Sequence, residues 1–127
     1  MKKVLLIAIA YVLTACSGSD SSLINTTQQA VRAKLKDPDS AKFGEAFIVP
    51  KEEESTKYTN VRSVCGDVAA KNSYGAYDGR IRFMGLYGKP IGGNEMELLE
   101  LEIEPQPNNK IFEVVHWQVD CIKKPAA

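Results

Sequence analysis

Ten apolar residues, Val4–Leu13, follow Met1-Lys2-Lys3 at the start of the chain. A helix needs about 20 apolar residues to cross the hydrocarbon core of a bilayer, so this run is too short to span one. Its length is that of the apolar region of an export signal, and the two lysines suit the charged region that precedes it. The run has no amphipathic period, which argues against a short core helix. The fold must therefore be built from the residues that follow.

Leu13-Thr14-Ala15-Cys16 ends the apolar run. Small residues leading directly into a cysteine resemble the recognition box of bacterial lipoproteins. The resemblance implies that residues 1–15 are a lipoprotein signal peptide, that Cys16 is acylated, and that the lipid bilayer is a partner through it. One acyl chain anchors only marginally, whereas two or more hold a protein firmly, at ~0.8 kcal/mol per buried CH₂. Ser17, where an inner-membrane retention aspartate would stand, implies an outer-membrane location. An ordinary export signal with an incidental cysteine is the alternative.

The chain holds sixteen basic and sixteen acidic residues. Two lysines and none of the acids precede Cys16, so the remaining 112 residues carry a net charge of −2. That length suits one small domain. The charge balance and the lack of a basic cluster argue against nucleic acid as a partner and against polybasic attachment to lipid headgroups.

If Cys16 carries lipid, Cys65 and Cys121 remain. An oxidising compartment makes a Cys65–Cys121 disulfide their natural pairing, worth ~3–4 kcal/mol on the chain-entropy model. Two free thiols, or a redox or metal pair, are the alternatives. The absence of a CxxC and the presence of a single histidine weigh against the last two.

Residues 16–22, polar and rich in serine, read as a lipidated flexible tether, and 23–122 as one domain. Leu23–Lys36 has a helical pattern, with Ile24, Val31 and Leu35 near one face and Ala30 and Ala33 beside it. Asn25, Thr26 or Thr27 could cap its start. Asp37-Pro38 stops it, and Asp37 could cap a short turn. Strands are expected at Phe43–Val49, Thr59–Ala70 and Ile81–Tyr87. Turns are expected over Lys71–Gly79, Gly88–Asn94 and Pro105–Asn109. In the glutamate-rich stretch, Met96 and Leu98 alternate with glutamates, then Leu99, Leu101 and Ile103 do so out of phase. A β-bulge at Leu98-Leu99 would keep these apolar side chains facing inward. Ile111–Ile122 reads as a last strand, with Val115, Trp117, Val119 and Cys121 on one face, and Lys123–Ala127 as a frayed tail. The expected fold is α+β: an N-terminal helix packed on an antiparallel sheet of four to five strands.

Lys36-Asp37-Pro38-Asp39-Ser40-Ala41-Lys42-Phe43 and the later run from Cys65-Gly66 through Lys71-Asn72, Gly75, Tyr77 and Gly79 to Phe83 resemble a group of small exported proteins of bacteria and their prophages. That group pairs a KDPxSAxF phrase with a CGxxNxKNxxGxYxGxxxF phrase. The likeness covers about Val31–Phe83, and Ala69 stands where the group has asparagine. The resemblance implies export but carries no activity with it. The phrases have an architectural reading, as a helix stop and a tight turn. The alternative is a recognition loop over Lys71–Gly79, with Asn72, Tyr74, Tyr77 and Asp78 as candidate contact residues.

Catalysis finds little in the chain. His116 is the single histidine and no GxSxG frames a serine, so no catalytic residue is assigned. Glu95, Glu97, Glu100, Glu102 and Glu104 could suggest calcium, but no aspartate-rich loop is present, and a solvated face that guards a sheet edge explains them more simply. Gly85–Gly93 lacks phosphate-loop spacing. No metal and no cofactor are expected. The functional expectation is a membrane-anchored, non-enzymatic binding module of the cell envelope with an envelope protein as partner. One form of it is a prophage-encoded protein that excludes phage by obstructing an outer-membrane receptor. The alternatives are an assembly accessory of an envelope machine, or an envelope hydrolase or hydrolase inhibitor.

Overall fold

The structure, a computed structural model, describes residues 19–52 and 55–122. The signal segment, Cys16 and the 123–127 tail lie outside the described residues. Among the described residues, no helix is long and apolar enough to cross a membrane.

The architecture is α+β. Helix α1 (Asp20–Arg32) is followed by a 3₁₀ turn, Pro38–Ser40. Strands β1 (Lys42–Pro50), β2 (Tyr58–Lys71), β3 (Tyr77–Pro90) and β4 (Glu97–Ile103) come next. They form one antiparallel sheet in the order β1-β2-β3-β4. A continuous helical run, α2, follows β4: Lys110–Phe112, a π-helical turn Glu113–Trp117, and Gln118–Asp120.

Several expectations are corrected here. Residues 19–22, expected in a flexible tether, instead begin α1, where Ser19 caps the helix by accepting from the Ser22 N–H at 3.3 Å. Asp20 sits in the first turn, where the helix dipole favours an acid, and pairs with Arg62 at 2.8 Å. The expected cap at Asn25, Thr26 or Thr27 is thus replaced by Ser19. The expected fifth strand at Ile111–Ile122 does not form, and α2 occupies that stretch. Alternation of Val115, Trp117, Val119 and Cys121 is also satisfied by a helix. There Trp117 and Cys121 share one side, four residues apart, and Val115 and Val119 the other. The helix ends at Arg32 rather than running to Lys36 and the Asp37-Pro38 stop, and the Asp37 side chain makes no capping bond on the 3₁₀ turn.

The sheet is covered on both faces, and strand alternation decides which residue goes where. Val64, Val68, Phe83 and Tyr87 point to α1. Leu23 packs with Val64 and Tyr87, and Val31 packs with Val68 and Phe83. Cys65, Met84 and Val49 point the other way and pack with Cys121, with Leu86 and Trp117 alongside. Gly66 pairs with Phe83 across β2 and β3. A Cβ at Gly66 would lie 2.7 Å from the Phe83 ring, so the close approach needs glycine.

The phase slip in the glutamate-rich stretch is a register shift. Leu86 pairs with Glu100 and Tyr87 with Leu98, leaving Leu99 as the extra residue. Met96, Leu101 and Ile103 pack toward the α1 side. Leu99 instead joins Leu86 and Val119 on the α2 side. β4 is an edge strand, and its glutamates guard that edge.

One buried polar contact ties α1 to the sheet. The Thr27 hydroxyl, fully buried, donates to the Leu23 carbonyl at 2.7 Å. Its single proton is then committed, so the Tyr87 hydroxyl must donate to Thr27 Oγ1, 2.8 Å away. Burial raises the Tyr87 phenol above its ordinary pKa. Thr27→Val should strand the buried Tyr87 hydroxyl and cost about 1–3 kcal/mol, whereas Tyr87→Phe leaves the Thr27–Leu23 bond intact and costs about 1 kcal/mol. Urea denaturation of both variants checks the order, and an equal or reversed cost would contradict the assignment of donor and acceptor.

Candidate functional site

Arg82 stands on β3 with its side chain toward α2, between two carboxylates and two aromatic rings. Its Nε and Nη2 donate to Glu104 Oε2 at 3.0 and 2.5 Å, and its Nη1 donates to Glu113. The guanidinium lies 5.4 Å from the Phe112 ring centroid and 5.0 Å from that of Trp117. Glu104 is 1% exposed and would be an unpaired buried charge without Arg82. The Glu104 hydrogen bond is the largest influence on Arg82. With Glu113 it raises the guanidinium's pKa, against the opposing effect of burial. Glu104 also accepts from the Asn109 N–H at 3.3 Å, and Asn109 Oδ1 caps α2 by accepting from the Phe112 N–H at 2.8 Å. The start of α2 is therefore fixed to the sheet through one arginine.

The end of α2 is fixed by the Cys65–Cys121 disulfide, with Cα atoms 5.8 Å apart across a separation of 56 residues. Lys51 on the β1 side also pairs with Asp120 and donates to the Val119 carbonyl at 3.2 Å. Between these two attachments lies the π-helical turn. Such turns are rare and recur at functional sites.

Clamping one side of α2 leaves the other side outward. Ile111, Val114, Val115, Val119 and Ile122 lie there, between 47% and 74% exposed. Four large aliphatic side chains on the outside of a helix this short, with Ile122 just past its end, form an unusual surface for a small domain. Among the described residues, nothing covers it.

His116, expected on the outer face of a strand, lies instead on the sheet side of α2. Its ring packs against Phe112, with centroids 5.5 Å apart. Nδ1 is 3.8 Å from Glu100 Oε1 and Nε2 is 3.7 Å from Glu102 Oε2. The expectation that the glutamates form a solvated face fails at Glu104, which is buried on Arg82, and is revised at Glu100 and Glu102, because the helix brings the histidine between them.

The candidate recognition residues sit at the β2–β3 hairpin. Asn72 Oδ1 accepts from the N–H groups of Tyr74 and Ala76 at 2.9 and 3.1 Å, and Asn72 Nδ2 donates to Asp78 at 2.6 Å. The Tyr77 hydroxyl donates to the Ser40 carbonyl at 2.9 Å, and Lys42 Nζ lies 4.9 Å from the Tyr77 ring centroid. These three side chains hold the hairpin and the 3₁₀ turn. Tyr74, 95% exposed, alone points to solvent. Beside the hairpin is a cleft of about 360 Å³, with Lys34, Lys36 and Lys71 at its rim and Leu35, Ile81 and Ile103 in its wall.

Neither Arg82 nor the outer face of α2 was identified from the sequence. Arg82 had one signal: it is a charged residue between Ile81 and Phe83, on the strand phase opposite to theirs. Comparison with protein-family models, with curated proteins and with solved structures found no match.

Arg82→Met should destabilise the domain by about 3 kcal/mol, because it leaves Glu104 buried and unpaired. The double variant Arg82→Met/Glu104→Leu should recover much of that loss. Thermal denaturation of the single and double variants tests the pairing, and additive losses would refute it.

Proposed function

We propose that this chain is an exported lipoprotein, held to the membrane through an acylated Cys16, whose folded domain is a non-enzymatic binding module of the cell envelope. The observation that carries the binding reading is the outer face of α2. A helix clamped from behind at both ends presents Ile111, Val114, Val115, Val119 and Ile122 as a rigid aliphatic ridge. Ridges of this spacing fit apolar grooves of partner proteins. A fixed helix also loses little conformational entropy on docking.

The occupant this face suits is a protein rather than a lipid surface. α2 carries Lys110 against Glu113 and Asp120, so it offers no positive potential to anionic headgroups. Glu113 is paired with Arg82 and Asp120 with Lys51, so an apolar ridge with a near-neutral rim matches an apolar groove with neutral edges. With only a short tether before Ser19, that partner would lie close to the membrane. The finer reading, obstruction of an outer-membrane receptor against phage, rests on the likeness of the two sequence phrases to exported prophage proteins. An assembly accessory would use the same ridge.

Two measurements test this reading. A palmitate analogue fed to cells should label the chain, and Cys16→Ser should abolish the label. Retained label, or none at all, would end the lipoprotein reading. A photo-crosslinking residue at Val115 should capture one protein of defined mass in living cells, and Val119→Asp should prevent the capture. A crosslinker at Tyr74 serves as the control. Adducts to lipid alone, or the same adducts from Tyr74, would contradict the ridge as a protein-docking surface.

A further inference from the structure

We propose that Glu100, Glu102 and His116 form a binding site for one divalent transition-metal ion, with zinc the best match. The three side chains each offer a ligand atom, and these atoms lie within 4.8 Å of one another. At zinc–ligand distances of ~2.1 Å, tetrahedral ligand atoms stand about 3.4 Å apart. An ion takes one ring nitrogen of His116, whereas the 3.8 Å approach to Glu100 is from Nδ1 and the 3.7 Å approach to Glu102 is from Nε2, so one carboxylate must move toward whichever nitrogen binds. A shift of side-chain rotamers of about 1 Å would close the set, and the two partly exposed glutamates have room to make it.

The site is built from two elements fixed independently of any metal. Glu100 and Glu102 are two residues apart on β4, so strand alternation puts both on the α2 face. His116 is held between the Arg82 attachment at one end of α2 and the Cys65–Cys121 bond at the other. Its ring rests on Phe112, which limits its rotation.

Ion pairing alone serves these groups poorly. Both nitrogen-to-oxygen distances exceed hydrogen-bond reach. One imidazole carries at most one positive charge, against two carboxylates. Among the described residues, neither Glu100 nor Glu102 meets a lysine or arginine within ion-pair distance. Glu104, the next acid on the same face, is already committed to Arg82.

The donor set selects the ion. Imidazole suits zinc, copper and nickel, whereas calcium takes six to eight oxygens, more than this site offers. Three protein ligands leave a fourth position for water or for a group from outside the chain. That distinguishes the site from closed four-ligand structural zinc sites. A bound ion would also join β4 to the middle of α2, where no covalent bond does so.

Zinc titration of the full chain, purified in detergent and stripped of metal, tests the proposal by competition with a chromophoric chelator. One zinc per chain is expected, with a rise in the thermal midpoint that equal calcium does not produce. His116→Gln and Glu102→Gln should each weaken zinc binding by at least about tenfold, since even supporting residues around a metal commonly cost that much. Both should leave the midpoint without zinc near the parent value. Should His116→Gln fail to fold, the exposed Glu100→Gln and Glu102→Gln variants carry the test. Absence of one-to-one zinc binding, or unchanged affinity in the folded variants, would overturn the proposal.

Discussion

Helix α2 is eleven residues long, rich in β-branched side chains, and apolar on the side away from the domain. A helix of this kind is marginal on its own. It exists because it is attached at both ends to the far face of the sheet. The Cys65–Cys121 bond fixes its last turn to the middle of β2. Arg82, between Glu104 and Glu113 and between Phe112 and Trp117, fixes its first turns to β3 and β4. The rest of the α2 side depends on this clamp. With it in place, Cys65 and Met84 are fully buried and His116 is brought to the glutamates of β4.

The two faces of the sheet are held by different physics. The α1 side is an apolar layer with one internal polar contact, between Thr27 and Tyr87. The α2 side combines a smaller apolar group with a covalent bond and a charged network around a buried carboxylate. Buried ion networks add less stability than they appear to, because desolvation offsets much of the attraction. Their value here is geometric: Arg82 admits one orientation of α2. The same orientation produces the outward aliphatic ridge, so the ridge and the clamp are two consequences of one placement.

The four strands were legible because apolar residues recur along them between turn-forming segments, although β2 and β3 bury residues on both faces. Even the break in phase at Leu98-Leu99 could be read as a bulge, since only an extra residue restores the alternation. The segment 111–122 was not legible. Val115, Trp117, Val119 and Cys121 satisfy a period of two as well as they satisfy spacing by four. What separates the two readings is remote in sequence: Arg82, Glu104 and Cys65 hold the segment where a helix fits and leave β4 as an edge. His116 was misplaced for the same reason. A strand reading puts it on the side away from Trp117, while the π-helical turn carries both toward the sheet. Asn72, Tyr77 and Asp78, offered from the sequence as contact residues of a recognition loop, hold the hairpin and the 3₁₀ turn together through their own bonds.

The central claim is that α2 is helical because it is clamped, with the disulfide as the decisive attachment. Hydrogen–deuterium exchange before and after reduction addresses this directly. On reduction, amides of 110–120 should lose protection toward the exchange of an unfolded segment, while the central amides of β2 and β3 remain protected under the α1 layer. Protection of 110–120 that survives reduction unchanged, or its loss together with that of β2 and β3, would contradict the account.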